Sequence, residues 1–203
     1  MKKRAILFVA IILLPFFGFS QSIENIDYIS PFHDGLAAIK KGNQWAFINN
    51  QGVIAIDYRD DIKESKIESE NYPIFKNGRC LITQTKDDII YFGYIDKSGN
   101  TVIKPQFLNA TIFNNNTAIV LELVKESPWS NNILEKPVVY YKYFEAVINT
   151  NGEIIHSLSD PIPITLSKDY VRETPKITSK LISDKTYATW SKDKKWEIKK
   201  LQK

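Results

Sequence analysis

The feature that most constrains this chain is a short turn sequence that occurs three times, each time between two β-prone segments. Every copy begins with Asp or Asn and has Gly at its fourth position. The three copies are Asn49-Asn50-Gln51-Gly52, Asp96-Lys97-Ser98-Gly99 and Asn149-Thr150-Asn151-Gly152. A short polar side chain at the first position can accept hydrogen bonds from the turn backbone, and glycine adopts the positive φ that closes a hairpin. The pattern therefore predicts three β-hairpins.

A second pattern precedes each hairpin and consists of an aromatic residue, a polar turn and a strand whose second residue is small. Its copies cover residues 32–39, 75–82 and 113–120, with Ala37, Cys80 and Ala118 at the small position. Because Cys80 takes the place of an alanine, we interpret it as a buried packing residue rather than a reactive thiol. Self-similarity of this kind indicates a repeat architecture.

Together these residues resemble the WG repeat of bacterial proteins. Residues 32–39 are the best match to the first half of that repeat, and residues 92–107 are the best match to the second half. The residues that define the repeat are Gly35, Trp45, Gly52, Gly78, Gly93, Gly99 and Gly152. The Trp-Gly pair of the family is Trp45-Ala46 in the first copy, Phe92-Gly93 in the second and Glu145-Ala146 in the third. The resemblance implies tandem hairpin units with an interaction role, and it names no ligand.

The predicted fold is all-β, with tandem β-hairpin repeats packed as a short array or curled sheet. Stacking as a solenoid and closure like a propeller both satisfy the pattern. The chain divides into a signal peptide at residues 1–20, about three WG-like units at 21–157, and a degenerate terminal repeat or cap with a basic end at 158–203. In the terminal region Ala188 aligns with the small residues, and Trp196 aligns with Trp45.

Extra residues separate or lengthen the repeats, and we predict that they form loops. The segments concerned are residues 60–71, 85–88 and 125–132. Loops lengthened within a repeat often gather on one face and carry contacts. Helical periodicity is weak everywhere except in the signal segment and residues 173–183.

The first twenty residues have the anatomy of an export signal. A basic start at residues 2–4 precedes an uncharged run at 5–19, and Gly18 and Ser20 supply small residues before a cut ahead of Gln21. The apolar run is too short for a comfortable transmembrane helix. We expect cleavage, export to the periplasm or the outside, and no stable membrane insertion of the mature chain. An uncleaved anchor is the alternative.

The composition argues against catalysis, metal binding and nucleic-acid binding. The chain has one cysteine and two histidines, His33 and His156, and neither histidine lies near a nucleophile motif. Without residues 1–20 the chain has 24 basic and 23 acidic residues, so its net charge gives no reason to expect nucleic acid. We therefore expect no catalytic residue, no cofactor, no metal and no nucleic-acid partner.

Three tryptophans are candidate ligand contacts. Trp129 lies in the longest insertion, and Trp190 and Trp196 flank a lysine-rich turn. An exposed indole can anchor a protein or stack on a sugar. The alternatives are that Trp129 covers a small core and that Trp190 and Trp196 form a stabilising cross-strand pair.

The basic end suggests how such contacts are made. Residues 176–203 hold nine lysines and three acidic residues. They can dock on an acidic surface, or they can protect an edge strand from pairing with another chain.

The leading hypothesis is an exported, non-catalytic interaction module that contacts a protein or envelope component through inter-repeat loops. The alternative is a glycan-binding protein that uses the exposed tryptophans.

Overall fold

The computed structural model describes residues 23–126, 140–167, 171, 173–183, 185–191 and 193–201. Within these residues every regular element is a β-strand, which confirms the all-β prediction. The strands are β1 (Tyr28–Ile29), β2 (Leu36–Lys41), β3 (Gln44–Asn49), β4 (Ile54–Arg59), β5 (Ser65–Ile67), β6 (Glu70–Tyr72), β7 (Cys80–Lys86), β8 (Ile89–Ile95), β9 (Thr101–Phe107), β10 (Asn109–Ala110), β11 (Thr117–Glu126), β12 (Tyr140–Asn149), β13 (Ile154–Ser157), β14 (Ile162–Ile164), β15 (Ser179–Ser183), β16 (Thr186–Trp190) and β17 (Trp196–Lys200). The predicted signal peptide and Trp129 lie outside the described residues.

The strands form antiparallel sheets that follow one another along the chain. The first unit is the sheet β1-β2-β3-β4, the second is β7-β8-β9, and the third is β10-β11-β12-β13, with β14 also paired to β12. We call the last sheet, β15-β16-β17, the terminal sheet. The strands β5 and β6 form a small hairpin between the first two units. This arrangement confirms the predicted array of hairpin units.

The three turns that have glycine at the fourth position are built alike. Asn49 Oδ1 accepts hydrogen bonds from the backbone N–H groups of Gln51 and Val53, at 2.9 and 3.0 Å. Asp96 and Asn149 make the same pair of contacts in the other two turns. The glycine has a positive φ in each turn, a conformation that a residue without a Cβ adopts readily. The sequence pattern therefore identified both the turns and the reason for their composition.

A second set of turns precedes β2, β7 and β11. Both central residues have a positive φ, as in type I′ turns; the pairs are Asp34-Gly35, Asn77-Gly78 and Asn115-Asn116. Asp34 Oδ2 accepts a hydrogen bond from the N–H of Gly78 at 2.8 Å, and Asn77 Oδ1 accepts one from the N–H of Asn116 at 3.0 Å. The first turn is therefore bonded to the second and the second to the third, and these bonds help to set the spacing between the three units.

The units pack face to face, and we call the face that meets the next unit the following face. In the first unit this face carries Ala38, Trp45 and Phe47. It packs against a face of the second unit that carries Cys80 and Ile95. The second and third units pack in the same way and form a separate core. The hydrophobic core of the array is therefore divided among the junctions between sheets.

The aromatic residue that opens each unit fills the junction with the unit before it. Phe75 lies edge-on to Phe47 with ring centroids 4.8 Å apart, and Phe113 lies edge-on to Tyr94 at 4.8 Å. Phe32 has the same position in the first unit and is 50% exposed. Burial of one such side chain contributes about 1.5–3 kcal/mol. Stacking of the units, rather than formation of a single hairpin, therefore supplies much of the stability.

Gly93 lies in β8 at a point where the backbone of the neighbouring strand β9 passes very close to it. A Cβ on Gly93 would lie 2.4 Å from the carbonyl oxygen of Ile103 and 2.6 Å from the nitrogen of Pro105. The pairing of β8 with β9 is irregular at this point, between Phe92 and Tyr94. The glycine of the repeat is thus required in this unit by close backbone approach rather than by its φ.

Some segments that we predicted to be loops contain strands. Residues 65–72 form the β5–β6 hairpin, and the extra residues of the second unit lengthen β7 and β8 around a turn at Asp87 and Asp88. In the third unit β11 and β12 stay paired out to Glu126 and Tyr140. Many residues in these strands are exposed or only half-buried, so the alternation of apolar and polar residues by which strands are recognised is weak.

The helical periodicity of residues 173–183 did not predict the observed structure, which contains a strand in this segment. Residues 179–183 form β15, which pairs with β16 and packs on the third unit. Tertiary pairing therefore overrides the local preference of this segment.

Cys80 packs at the small position of the second unit and is buried, as predicted. Its side chain contributes to the core between the first and second units. Burial disfavours the thiolate and raises the pKa of the Cys80 thiol well above its usual value.

We predict that Gly93→Ala destabilises the protein by roughly 1–3 kcal/mol, because the added methyl group must displace the backbone of β9. Urea denaturation of the purified chain measures this change. Ile90→Ala, at an exposed position of the same strand, is the matched control and should change the free energy of unfolding by less than about 0.5 kcal/mol. Equal stability of the Gly93→Ala variant and the wild type would contradict the close approach.

We also predict that Cys80 does not react with a thiol reagent such as Ellman's reagent at about pH 8 while the protein is folded. The raised pKa keeps the thiol protonated at that pH, and burial excludes the reagent. The unfolded chain in denaturant is the control and should react with one equivalent. Rapid stoichiometric reaction of the folded protein would show that this junction opens.

Candidate functional site

The terminal sheet pairs in the same register as the earlier units. Lys40 lies opposite Trp45 in β2 and β3, and Trp190 lies opposite Trp196 in β16 and β17. Trp196 therefore has the position of Trp45, as the sequence alignment placed it. Trp45 is 4% exposed beneath the second unit, whereas Trp196 is 50% exposed. A position that is buried inside the array is thus open to solvent at this sheet.

We call the exposed face of the terminal sheet its outer face. Cross-strand pairing and alternation along the strands place eight residues on it, of which Ala188 is buried: Lys180, Ser183, Thr186, Ala188, Trp190, Trp196, Ile198 and Lys200. Ile198 has the position of Phe47 and is 73% exposed, whereas Phe47 is 1% exposed. The outer face therefore corresponds to the following faces of the earlier units. A neighbouring unit covers those faces, whereas Ile198 on the outer face is exposed.

Two aromatic rings and an ammonium group form the centre of the outer face. Trp190 and Trp196 pack edge to face, with centroids 5.0 Å apart and an interplanar angle of 71°, which confirms the predicted cross-strand pair. Lys180 Nζ lies 4.5 Å from the centroid of the Trp196 ring. In the first unit Lys40 Nζ lies 5.0 Å from the Trp45 centroid, so both sheets place a cation over this indole.

The opposite face of the terminal sheet packs on the third unit. Tyr187 is buried there, and its hydroxyl donates a hydrogen bond to the carbonyl oxygen of Leu158 at 3.2 Å. The alignment of Ala188 with the small residues is wrong by one position. The turn before β16 pairs Ser183 with Thr186, and this register gives Tyr187 the small-residue position and places Ala188 on the outer face.

A buried carboxylate also joins the terminal sheet to the third unit. Glu145 has the position that Trp45 has in the first unit, and it is buried. Its Oε1 accepts hydrogen bonds from the backbone N–H of Thr178 at 2.5 Å and from the Thr178 hydroxyl at 2.7 Å. These two hydrogen bonds from Thr178 therefore tie the segment before β15 to the third unit.

The terminal sheet and its turns are basic. The described residues between 173 and 201 contain seven lysines, which are Lys176, Lys180, Lys185, Lys194, Lys195, Lys199 and Lys200. The acidic residues among them are Glu173, Asp193 and Glu197. Glu197 lies opposite Thr189, on the face turned toward the third unit, and pairs with Lys199 at 3.4 Å. The charges on the outer face itself are Lys180 and Lys200, both positive.

The opposite end of the array holds a polar aromatic cluster with internal partners. The ring of His33 stacks on Tyr72 with centroids 5.8 Å apart, and His33 Nε2 lies 3.3 Å from the Tyr72 hydroxyl. The Tyr28 hydroxyl donates to Glu70, and this hydrogen bond raises the pKa of Tyr28 to about 12. These side chains already contact one another within the chain, so the cluster is a weaker candidate for a binding site than the outer face.

The described residues also line several concave regions, of which two illustrate the range of size. A cavity of about 70 Å³ between the third unit and the terminal sheet is lined in part by Val147 and His156, and it is far smaller than the ~300–1,000 Å³ typical of ligand pockets. An open groove of about 740 Å³ is lined in part by Tyr140, Tyr141 and Pro163.

In the part of the chain that the structure describes, no group of three His, Cys, Asp or Glu side chains could hold a metal. Across the same residues, no helix has the length and apolar character to cross a membrane.

Sequence analysis identified Trp190 and Trp196 and missed Lys180 and Ile198. The alternation of Trp196, Ile198 and Lys200 along β17 was the available signal, since residues two apart share a face. It could not show that this face is uncovered, because that depends on the position of the third unit. Trp129 lies outside the described residues, so its predicted role as a ligand contact stays a prediction.

Comparison with known proteins supports the repeat assignment. Two regions, residues 23–45 and 92–122, match the family model described as WG containing repeat. The second match begins in β8 and ends in β11, so it includes the junction at which Tyr94 meets Phe113. Neither the comparison with curated proteins nor that with solved structures gave a match. These two matches are consistent with a WG-repeat protein and agree with the resemblance carried by the turns and strands.

Proposed function

We propose that this chain is an exported, non-catalytic binding module that contacts a protein or another component of the cell envelope. The observation that carries the proposal is the outer face of the terminal sheet. Equivalent faces in the first and second units are covered by a neighbouring unit, whereas this one exposes Trp196 and Ile198. Exposed tryptophan in a rigid apolar surface is characteristic of binding hot spots.

We assign the contact to the outer face rather than to the inter-repeat loops. Residues in the turns already hold neighbouring units together, through the bonds of Asp34 to Gly78 and of Asn77 to Asn116. Arg79 likewise donates to the carbonyl oxygen of Thr150 at 2.9 Å. These turns are therefore engaged within the array, and residues 65–72, most of which belong to a predicted inter-repeat loop, are paired with one another in the β5–β6 hairpin.

The proposal also includes export, which rests on residues 1–20. Expression of the full chain in a bacterial host should yield a mature protein that begins at Gln21. Intact-mass measurement of the purified product, with a tag at the carboxyl end, checks this cut. A product that retains residues 1–20 in the membrane fraction would support an uncleaved anchor instead.

We predict that the mature chain, residues 21–203, retains a specific component from an envelope extract of its own organism. The loss of an exposed indole from the outer face should remove this component, so Trp196→Ser is expected to retain little of it. Affinity capture followed by mass spectrometry, with parallel carbohydrate analysis, makes the measurement.

Phe32→Ser is the matched control, because Phe32 is an equally exposed aromatic residue at the other end of the array. It should retain the component as the wild type does. Equal capture by all three proteins, or capture by none of them, would contradict the assignment to the outer face. A retained glycan without a protein would favour the glycan-binding alternative.

A further inference from the structure

We propose that the outer face of the terminal sheet binds an acidic polypeptide segment that carries aromatic or large aliphatic side chains. This inference rests on the proposed function, because it names the class of partner for the same face. It follows from what covers the equivalent faces, from the charge of the outer face and from the way its tryptophans are arranged.

The junctions inside the array show what kind of surface covers such a face. Phe75 of the second unit packs on Phe47, and Phe113 of the third unit packs on Tyr94. At both junctions the covering surface is polypeptide, and a phenylalanine meets the centre of the face. Ile198 occupies that central position in the terminal sheet and is exposed. A partner that fills it therefore needs a large apolar side chain at the centre of its contact.

The charge of the face selects an acidic partner. Lys180 and Lys200 lie on the outer face, and the turn that precedes Trp196 holds Lys194 and Lys195 together with Asp193. Glu197, the acidic residue of β17, lies on the opposite face and pairs with Lys199. Carboxylates around the apolar centre of the partner would meet these ammonium groups, which favours both the rate and the specificity of association.

The arrangement of the tryptophans favours polypeptide over sugar. A sugar ring stacks on an open indole face, whereas the Trp196 ring has Lys180 Nζ at 4.5 Å from its centroid. Trp190 packs against Trp196 at a steep angle, so the two rings do not form one flat platform. Ile198 beside them offers no hydrogen bond to a sugar hydroxyl. Apolar side chains of a polypeptide suit such an uneven aliphatic and aromatic surface better.

A second copy of the chain fits the face less well. In head-to-tail stacking, the outer face of one copy would pack on the first unit of the next copy, against the face opposite its following face. Ala37 and Ile39 lie on that face and are fully buried. Ile23 and Ile26 of the same chain pack against them. Two outer faces packed together would bring lysines against lysines, and like charges facing one another across sheets are destabilising.

The test uses defined probes with the mature chain, residues 21–203. Random copolymers of Glu and Tyr at a ratio of about four to one carry both required features, whereas poly-Glu carries charge alone and copolymers of Lys and Tyr carry the opposite charge. We expect the Glu–Tyr copolymer to bind more tightly than either control, by about tenfold or more. Raising the salt from about 0.05 M to about 0.5 M should weaken this binding.

Variants locate the binding on the outer face. Trp196→Ser and Ile198→Asp should each weaken binding of the Glu–Tyr copolymer by about tenfold or more. Ile198→Asp is included because Ile198 is outside the tryptophan pair, so its replacement leaves the contact of Trp190 with Trp196 in place. The matched controls are Phe32→Ser and Lys86→Glu, which change an exposed aromatic residue and an exposed lysine away from the face and should bind as the wild type does. Near-ultraviolet circular dichroism confirms that each variant is folded.

Several results would overturn the proposal. Tighter binding of heparin than of the Glu–Tyr copolymer would identify an acidic glycan as the partner. A dimer that light scattering detects in the wild type and not in Ile198→Asp would identify a second copy. Equal copolymer binding by the wild type and both outer-face variants would place the contact elsewhere.

The envelope capture separates this inference from the proposed function. If capture depends on Trp196 but the copolymer does not bind, the binding module stands and the acidic class of partner is wrong. If neither experiment detects binding to the outer face, both proposals fail.

Discussion

The structure depends on face-to-face packing between successive sheets. A single two-stranded hairpin buries too little apolar surface to be stable in water. Here each unit obtains its core from the next, and the aromatic contacts of Phe47 with Phe75 and of Tyr94 with Phe113 mark the centres of two junctions. Every unit inside the array uses both of its faces, whereas the terminal sheet packs one face on the third unit and carries Trp190 and Trp196 on the other. The exposed tryptophans of the terminal sheet are a consequence of that geometry.

The turns connect the local sequence to this packing. Their polar first residues satisfy the backbone within each turn, and the side chains of Asp34 and Asn77 reach the next unit. The glycines serve two different purposes. Gly52 and its counterparts permit a positive φ, whereas Gly93 permits the close passage of β9. A substitution in a turn therefore affects both the hairpin and the distance between neighbouring sheets.

Much of the fold could be predicted because it is encoded locally. The recurring turns specified the hairpins, and the position of Cys80 specified its burial. The charged hairpin at residues 65–72 and the long strands of the third unit could not be predicted in this way. Many of their residues are exposed or only half-buried, so the alternation of apolar and polar residues that reveals a strand is weak. The misplacement of Ala188 has a different cause, since the turn that pairs Ser183 with Thr186 shifts the register of β16 by one residue from the expected one.

The sequence by itself determined the all-β class, the repeated turns and the cross-strand pair of Trp190 and Trp196. Each of these depends on residues close together along the chain. Only the tertiary structure decided that Trp45 is covered while Trp196 is open, although the two occupy equivalent positions. It also brought Lys180 over the Trp196 ring and turned Glu197 away from the outer face. Exposure is a property of how sheets pack on one another, and no residue carries that information alone.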